Sequence, residues 1–231
     1  MKLPVGCLLA ACLTTSVFSE VIFNNFGPND SYDDGTAAGI TWDILSQGAA
    51  ENVGVGQATP FQVTGANYSL SSVTLAIGYP FGFNNLSISI YEDGGGLPSG
   101  SWLETLVSHP NNINGPSQIV TYSSSLEPIL NAGQSYWLVV QPVDLNLVNG
   151  NDNAGYSWFW SGTTGYQGYR DFNFATEDWN AWQVSASDLV SVFRIEGTPV
   201  PEPSAWALSI LGAAGWFLQN RWREPRRKER S

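Results

Sequence analysis

The feature that most constrains the fold is an alternation of apolar and polar residues that recurs in short runs between residues 21 and 199. In the run from residue 86 to residue 91 (LSISIY), the two kinds alternate as far as Ile90. Period two is typical of a strand with one buried face, so Leu86, Ile88 and Ile90 are expected to face a core. No segment of ten or more residues shows helical periodicity here, which predicts an all-β body.

Nine such runs are separated by clusters of Gly, Pro, Asn and Asp, which are typical of turns. They are residues 40–44, 59–63, 68–77, 86–91, 101–107, 118–122, 135–140, 155–160 and 191–196. The stretch 136–140 (YWLVV) is continuously apolar, as expected of a central strand covered on both faces. Nine short strands at this spacing predict an antiparallel β-sandwich, jelly-roll-like in topology.

The N-terminus has the pattern of a signal peptide. Lys2 precedes an apolar run over residues 3–13, and Ser19 is a small residue suited to a cleavage site. Residues 1–19 are therefore expected to be a signal peptide. Both cysteines, Cys7 and Cys12, lie within it, so the body is expected to hold no disulfide. Residues 9–12 (LAAC) also fit a lipobox, which leaves lipidation of Cys12 as an alternative.

The C-terminus combines a Pro-Glu-Pro stretch, an apolar run over residues 205–218 and a basic end. The basic cluster consists of Arg221, Arg223, Arg226, Arg227, Lys228 and Arg230. A helix over residues 205–222 would be about 27 Å long, close to the hydrocarbon core of about 30 Å. A single transmembrane helix over about 204–222 is expected, with the basic end in the cytoplasm and the body outside. The alternative, a core helix of a soluble domain, normally has a polar face, which this run lacks.

Charge is distributed unevenly along the chain. Residues 20–198 hold seventeen Asp or Glu against two cations, Arg170 and Arg194, so this part carries a net charge of −15. Phosphate neutralisation needs clustered Lys and Arg, so the body is not expected to bind nucleic acid. An acidic surface favours solubility and attracts divalent cations.

The ordered tail pattern resembles the PEP-CTERM sorting signal. The resemblance rests on Val200, Pro201, Glu202 and Pro203, on the apolar helix that follows, and on the basic end. It implies an exported bacterial protein that a membrane-embedded exosortase processes. The expected domains are therefore the signal peptide 1–19, an extracellular domain 20–198 and a sorting and anchor segment 199–231.

The body resembles the choice-of-anchor domains, most closely the R type, over residues 40–197. The resemblance rests on residues 58–63 (ATPFQV), 68–75 (YSLSSVTL), 86–91 (LSISIY), 93–100 (DGGGLPSG) and 130–140 (LNAGQSYWLVV). It implies an extracellular β-sandwich joined to a surface anchor. No catalytic role comes with the resemblance.

Residues for catalysis are few, and no enzyme activity is expected. The single histidine, His109, stands in a loop rich in Asn, Gly and Pro without a recognisable partner. A zinc site lacks its usual ligands. No motif marks the pair of carboxylates that a glycosidase needs. The body nevertheless contains many acids, so a hydrolase of this kind is kept as an alternative.

Calcium is a candidate cofactor because it binds oxygen ligands on turning backbone. Asp30, Asp33 and Asp34 lie on one loop and form the first candidate site. Residues 149–153 (NGNDN) form a second, less favoured one. Neither has the spacing of an EF-hand, and Asn, Asp and Gly are also the residues of ordinary turns.

Aromatic residues are concentrated between residues 158 and 182 and are interleaved with Asn, Asp and Gln. Flat aromatic faces beside hydrogen-bonding side chains are typical of sugar binders. Trp158, Trp160, Trp179 and Trp182 are therefore candidate ligand-binding residues, with Trp158 and Trp160 on one face of a strand. The alternative is that these rings pack in the core, where bulky aromatics usually lie.

Together, these patterns predict an exported cell-surface or matrix protein with a non-catalytic body that binds extracellular polysaccharide. The expected partners are the exosortase and the membrane. The alternatives are a secreted hydrolase and an envelope component with a purely structural role.

Overall fold

The structure is a computed structural model that describes residues 18–43, 53–82, 86–108, 113, 115–142, 154–173 and 178–201. The chain divides into two compact units, Met1–Pro199 and Val200–Ser231. Several predicted features lie outside the described residues. They are residues 1–17 of the signal peptide, His109, the loop 149–153, Glu202 and Pro203, the helix 204–222 and the basic cluster.

The described part of the first unit is built from strands, as predicted. It contains thirteen of them and one short 3-10 helix at Pro28–Asp30. The strands are β1 (Glu20–Asn24), β2 (Asp33–Asp43), β3 (Val53–Gln62), β4 (Tyr68–Gly82), β5 (Leu86–Glu92), β6 (Trp102–Ser108), β7 (Gln118–Ser123), β8 (Ile129–Leu130), β9 (Ser135–Pro142), β10 (Ala154–Asn173), β11 (Asp178–Trp179), β12 (Gln183–Ser191) and β13 (Phe193–Pro199).

Hydrogen bonds join these strands into one antiparallel sheet. The main order is β1-β13-β4-β10-β2-β3-β9-β5-β6. In addition, β11 and β12 pair with β10, β7 and β8 pair with β4, and β3 pairs with β10. The prediction of an all-β, antiparallel fold is confirmed.

Two strands show why these residues form a sheet. In β5, Leu86, Ile88 and Ile90 are fully buried, as their alternation predicts. In β9, the residues from Tyr136 to Val140 are all buried, and β3 and β5 flank them on either side. The prediction of a central strand for this continuously apolar segment is confirmed.

The main core collects residues from strands that are far apart in the sheet order. Phe61 of β3 and Phe193 of β13 are not on neighbouring strands, yet their ring centroids lie 6.0 Å apart with the rings nearly perpendicular. Phe23 of β1 stacks on Phe193 at 4.8 Å. Edge-to-face and stacked aromatic pairs both add to the free energy that area burial alone provides.

Strand β10 changes partners along its length. Its first residues, up to Trp160, pair with β2, and its last residues, from Gly168, pair with β3. The pairing with β12 also shifts register between Trp160 and Thr164. Gly162 has a φ of +76°, a conformation that glycine adopts easily. The irregular middle of β10 therefore lies where strands from several parts of the chain meet.

Among the residues that the structure describes, no helix is long and apolar enough to cross a membrane.

Candidate functional site

A cleft of about 260 Å³ lies beside the irregular part of β10. We call it the Trp160 cleft. Its lining combines small and aliphatic residues with two rings, two amides and one carboxylate, namely Ala37, Ala38, Gly39, Gln57, Trp160, Gln167, Tyr169, Asp188 and Leu189. These residues come from β2, β3, β10 and β12, so pairing of distant segments creates the cleft.

Gln167 forms the fixed floor of the Trp160 cleft. Its side chain is 4 % exposed, and its Oε1 accepts a hydrogen bond from the Thr59 hydroxyl at 2.8 Å. Its Nε2 donates to Ser191 Oγ at 3.2 Å and to Gln57 Oε1 at 3.3 Å. A buried amide with all these bonds is held in one orientation, because each lost bond would leave a desolvated polar group.

Hydrogen bonds to neighbouring protein groups also orient Gln57 and Tyr169. Gln57 Nε2 donates to the Gly39 carbonyl oxygen at 3.2 Å, and Tyr169 Oη donates to Gln183 Oε1 at 2.8 Å. Both side chains are only partly buried. They therefore present preformed polar groups and an aromatic ring to the cleft.

Trp160 is partly buried, and its Nε1 atom is buried without a hydrogen-bond partner in the described structure. An unsatisfied buried indole N–H is uncommon and costs about 1 to 3 kcal/mol. Trp160 is at the same time one of the residues that line the cleft.

Asp188 is the one carboxylate among the described residues that line the Trp160 cleft. It is exposed, and its side-chain carboxylate makes no hydrogen bond or ion pair with another described residue. Nothing in the sequence marks Asp188, because it stands in a run of small and aliphatic residues and meets Trp160 only through strand pairing.

Trp158 is not available to a ligand, which corrects its prediction as a binding residue. It is fully buried in the main core, and its Nε1 donates to the Val192 carbonyl oxygen at 2.9 Å. Phe159, which faces the other way, is also buried, in a second cluster with Phe26 and Val192. Both faces of this stretch of β10 are covered, so the alternative of core packing holds for Trp158.

Trp179 and Trp182 enclose Arg170. The guanidinium carbon lies 4.8 Å from the Trp179 ring centroid and 4.5 Å from that of Trp182. Arg170 Nη2 also donates to Gln141 Oε1. One face of each indole is thus occupied by a cation–π contact, and Trp179 further packs edge-on against Phe172 at 5.4 Å. Arg170 therefore occupies one face of each of these two candidate ligand-binding rings.

The three carboxylates of the predicted calcium loop have separate protein partners or none. Asp30 Oδ1 accepts from Arg194 Nη1 at 2.8 Å. Asp33 caps its own turn through Gly35 N at 2.9 Å and Thr36 Oγ1 at 2.6 Å. The Thr36 hydroxyl and the Gly35 amide lower the pKa of Asp33.

No group of three His, Cys, Asp or Glu that could hold a metal ion occurs among the described residues. Asp30, Asp33 and Asp34, the candidate calcium residues, are thus not gathered into a group of this kind. The loop residues serve the turn and an ion pair instead, which is the ordinary use of Asp in turns.

A second cleft, of about 290 Å³, is lined by polar residues that include Glu92 and Asp93. We call it the Asp93 cleft. Asp93 Oδ1 accepts from Trp137 Nε1 at 2.7 Å and from the Gly96 amide at 2.9 Å. Tyr136 contributes a ring that is almost fully buried. The described lining of the Asp93 cleft thus has two acids but no exposed aromatic face.

No protein-family model matches the chain, and a search of curated proteins finds no match.

Proposed function

We propose that this chain is an exported cell-surface or extracellular-matrix protein whose β body binds carbohydrate in the Trp160 cleft. The observation that carries the proposal is the composition of that cleft. Two aromatic rings, Trp160 and Tyr169, lie beside the amide of Gln57 and the carboxylate of Asp188. An aromatic ring packs against the apolar face of a sugar ring, while amides and carboxylates bind its hydroxyl groups.

The volume of the cleft is consistent with this ligand. Pockets for drug-sized molecules start at about 300 Å³, so a cleft of about 260 Å³ accommodates one or two ring-sized groups. A polysaccharide presents such groups in series and can pass over an open cleft. The rigid floor at Gln167 would keep the polar partners in place before the ligand arrives.

For the body, we propose a sandwich of jelly-roll type like the choice-of-anchor domains. The contact of Phe61 with Phe193 supports two sheet layers that face each other, since these strands are not neighbours. Glu104 of β6 supports it as well, because it binds the turn after β7 although β6 and β7 are not paired. One core cluster containing residues from both ends of the sheet order is the expected result of such closure.

For the ends of the chain, we propose export through the N-terminal signal and sorting through residues 199–231. The sequence supports this through the Val200-Pro201-Glu202-Pro203 stretch, the apolar run and the basic cluster. An exosortase would be the processing partner, and the membrane would hold the chain until processing. In a host with an exosortase, deletion of residues 199–231 should release the body into the medium, whereas the full chain should remain with the cells.

The test of carbohydrate binding is a glycan array with the purified full-length protein in mild detergent, with and without chelator. We expect binding to at least one glycan class, with no effect of the chelator. Trp160→Ala should abolish the signal. Trp102→Ala is the matched control, since Trp102 is 52 % exposed and lies outside the cleft. Equal loss with both variants, or binding to no glycan, would contradict the proposal and favour a purely structural role.

A hydrolase is the second candidate because Glu92 and Asp93 line one cleft. Neighbouring residues of a strand normally point to opposite faces, and the Asp93 carboxylate already binds Trp137 and Gly96. Incubation of glycans that bind the protein with wild-type chain and with Glu92→Gln would reveal cleavage. We expect no cleavage by either.

A further inference from the structure

The charges around the Trp160 cleft distinguish between classes of sugar. Asp188 is the only charged side chain in its lining, and it has no partner among the described residues. A polysaccharide made of uronic acids or sulfated sugars would place negative charge beside this carboxylate. Like charges at close range are destabilising, more so where water is partly excluded.

Neither cation of the body is available to offset such a charge. Arg194 forms ion pairs with Asp30 at 2.8 Å and Glu196 at 3.1 Å. Arg170 lies between two indole rings and donates to Gln141. Residues 20–198 contain no other Lys or Arg. Anionic sugars would therefore meet a strongly acidic body without a free counter-charge.

We infer that the Trp160 cleft selects amine-bearing sugars, such as β-1,4-linked glucosamine, over neutral and anionic ones. This inference rests on the proposed carbohydrate-binding function. A sugar ammonium group placed at Asp188 forms a charge-assisted hydrogen bond, which is about twice as strong as a neutral one. The faces of Trp160 and Tyr169 also attract a cation through their π electrons.

The remaining polar groups suit the hydroxyls of the same sugar. Gln57 has one Nε2 hydrogen beyond the one that it gives to Gly39, and Tyr169 Oη can accept a hydrogen bond while donating to Gln183. These groups treat glucose and glucosamine alike. Discrimination between the two sugars is thus concentrated at Asp188.

The experiment measures the affinity of the full-length protein for hexamers of glucosamine, N-acetylglucosamine, glucose and galacturonic acid by calorimetry, at slightly acidic pH. We expect the glucosamine hexamer to bind about 10-fold more tightly than the glucose hexamer, and the galacturonic acid hexamer to bind weakest. Asp188→Asn should remove this preference, so that the glucosamine hexamer binds no more tightly than the glucose hexamer does to the same variant. Added salt should weaken binding of the glucosamine hexamer more than that of the glucose hexamer.

The matched control is Glu92→Gln, which removes a carboxylate from the Asp93 cleft. It should leave all four affinities unchanged. Equal affinity for glucose and glucosamine hexamers, or a preference lost in Glu92→Gln but kept in Asp188→Asn, would overturn the inference while leaving carbohydrate binding in place. Absence of binding to every hexamer would contradict the inference and the proposed function together.

Discussion

The carboxylate of Glu104 accepts hydrogen bonds from both the backbone amide of Ser125, at 2.7 Å, and the Ser125 hydroxyl, at 3.0 Å. The Ser124 hydroxyl and the Leu126 amide bind the same carboxylate at 2.5 and 3.1 Å. Glu104 is 1 % exposed and lies on β6, whereas the turn follows β7. A buried acid thus ties two strands that are not paired with each other.

Substitution of Glu104 by Gln should lower the free energy of unfolding by about 2 kcal/mol. The NH₂ group of the glutamine would face the hydroxyl and amide donors of the turn, and buried polar groups would lose their hydrogen bonds. Urea denaturation measures this change. The control is Glu127→Gln in the same turn, since the Glu127 side chain is exposed, and we expect it to have almost no effect. Equal effects of the two substitutions would mean that the Glu104 contacts do not stabilise the fold.

Stability should also fall in acid because of Glu104. Burial raises the pKa of this carboxyl, but the hydrogen bonds from Ser124, Ser125 and Leu126 outweigh that effect and lower it below the ordinary value of 4.5. A group with a lowered pKa stabilises the folded state above the unfolded pKa, and this contribution is lost as pH falls through the folded pKa. Unfolding curves from pH 7 down to pH 3 should show the loss below about pH 4.5, and Glu104→Gln should reduce it. An unchanged acid dependence in the variant would contradict this assignment.

Two neighbouring tryptophans of β10 should differ in their effects on stability. Trp158→Ala removes a fully buried ring from the main core and should cost about 3 to 5 kcal/mol of unfolding free energy. Trp160→Ala should cost much less, because its ring is only partly buried and its indole N–H is unpaired. Thermal denaturation of both variants tests the difference. A larger loss for Trp160→Ala would contradict the assignment of Trp158 to the core and Trp160 to the cleft.

Arg170 should hold β11 and the segment after it against β10. Arg170→Met keeps the aliphatic stem but removes the cation between Trp179 and Trp182, at an expected cost of about 1 to 2 kcal/mol. Hydrogen exchange should become faster at Trp179 and Asn180. The control is the neighbouring substitution Asp171→Asn, because the side chain of Asp171 is exposed. In this variant, hydrogen exchange at Trp179 and Asn180 should stay as in the wild type.

Calcium should not stabilise the fold through the loop that precedes and begins β2. The melting temperature should be the same with calcium and with chelator, because Asp30 is paired with Arg194 and Asp33 binds its own turn. Asp30→Asn should lower the stability by up to about 1 kcal/mol through loss of this ion pair, whereas Asp34→Asn should have no effect. A calcium-dependent rise in melting temperature that Asp34→Asn removes would overturn this description of the loop.

Local patterns predict those strands whose own residues show a clear alternation or a continuous apolar run. All nine predicted runs overlap a strand, and the buried faces of β5 and β9 follow from periodicity alone. Strands β1, β8, β11 and β12 are not predicted, since they are short or lack alternation. The full length of β10 is also missed, because Gly162, Gly165 and Gly168 resemble a loop. Two of these glycines allow close packing instead: a Cβ at Gly165 would meet Val190 at 2.7 Å, and one at Gly168 would meet Ala58 at 3.3 Å.

The candidate site is predicted only in part. The aromatic cluster singles out Trp160, but the same pattern includes Trp158, Trp179 and Trp182, whose rings are buried or stacked on Arg170. Which ring remains open depends on tertiary packing. The partners of Trp160 come from distant strands, such as Gln57 on β3 and Asp188 on β12, and no local pattern connects them.

The most direct test of the account is the NMR spectrum of the tryptophan indole N–H groups in the ¹⁵N-labelled full-length protein, recorded as a glycan that binds on the array is added. The Trp160 signal is assigned by its disappearance in Trp160→Phe, and the Trp158 signal in the same way. We predict that the Trp160 signal shifts progressively with added glycan while the Trp158 signal does not move. A shift confined to other indole groups, or none, would contradict binding in the Trp160 cleft.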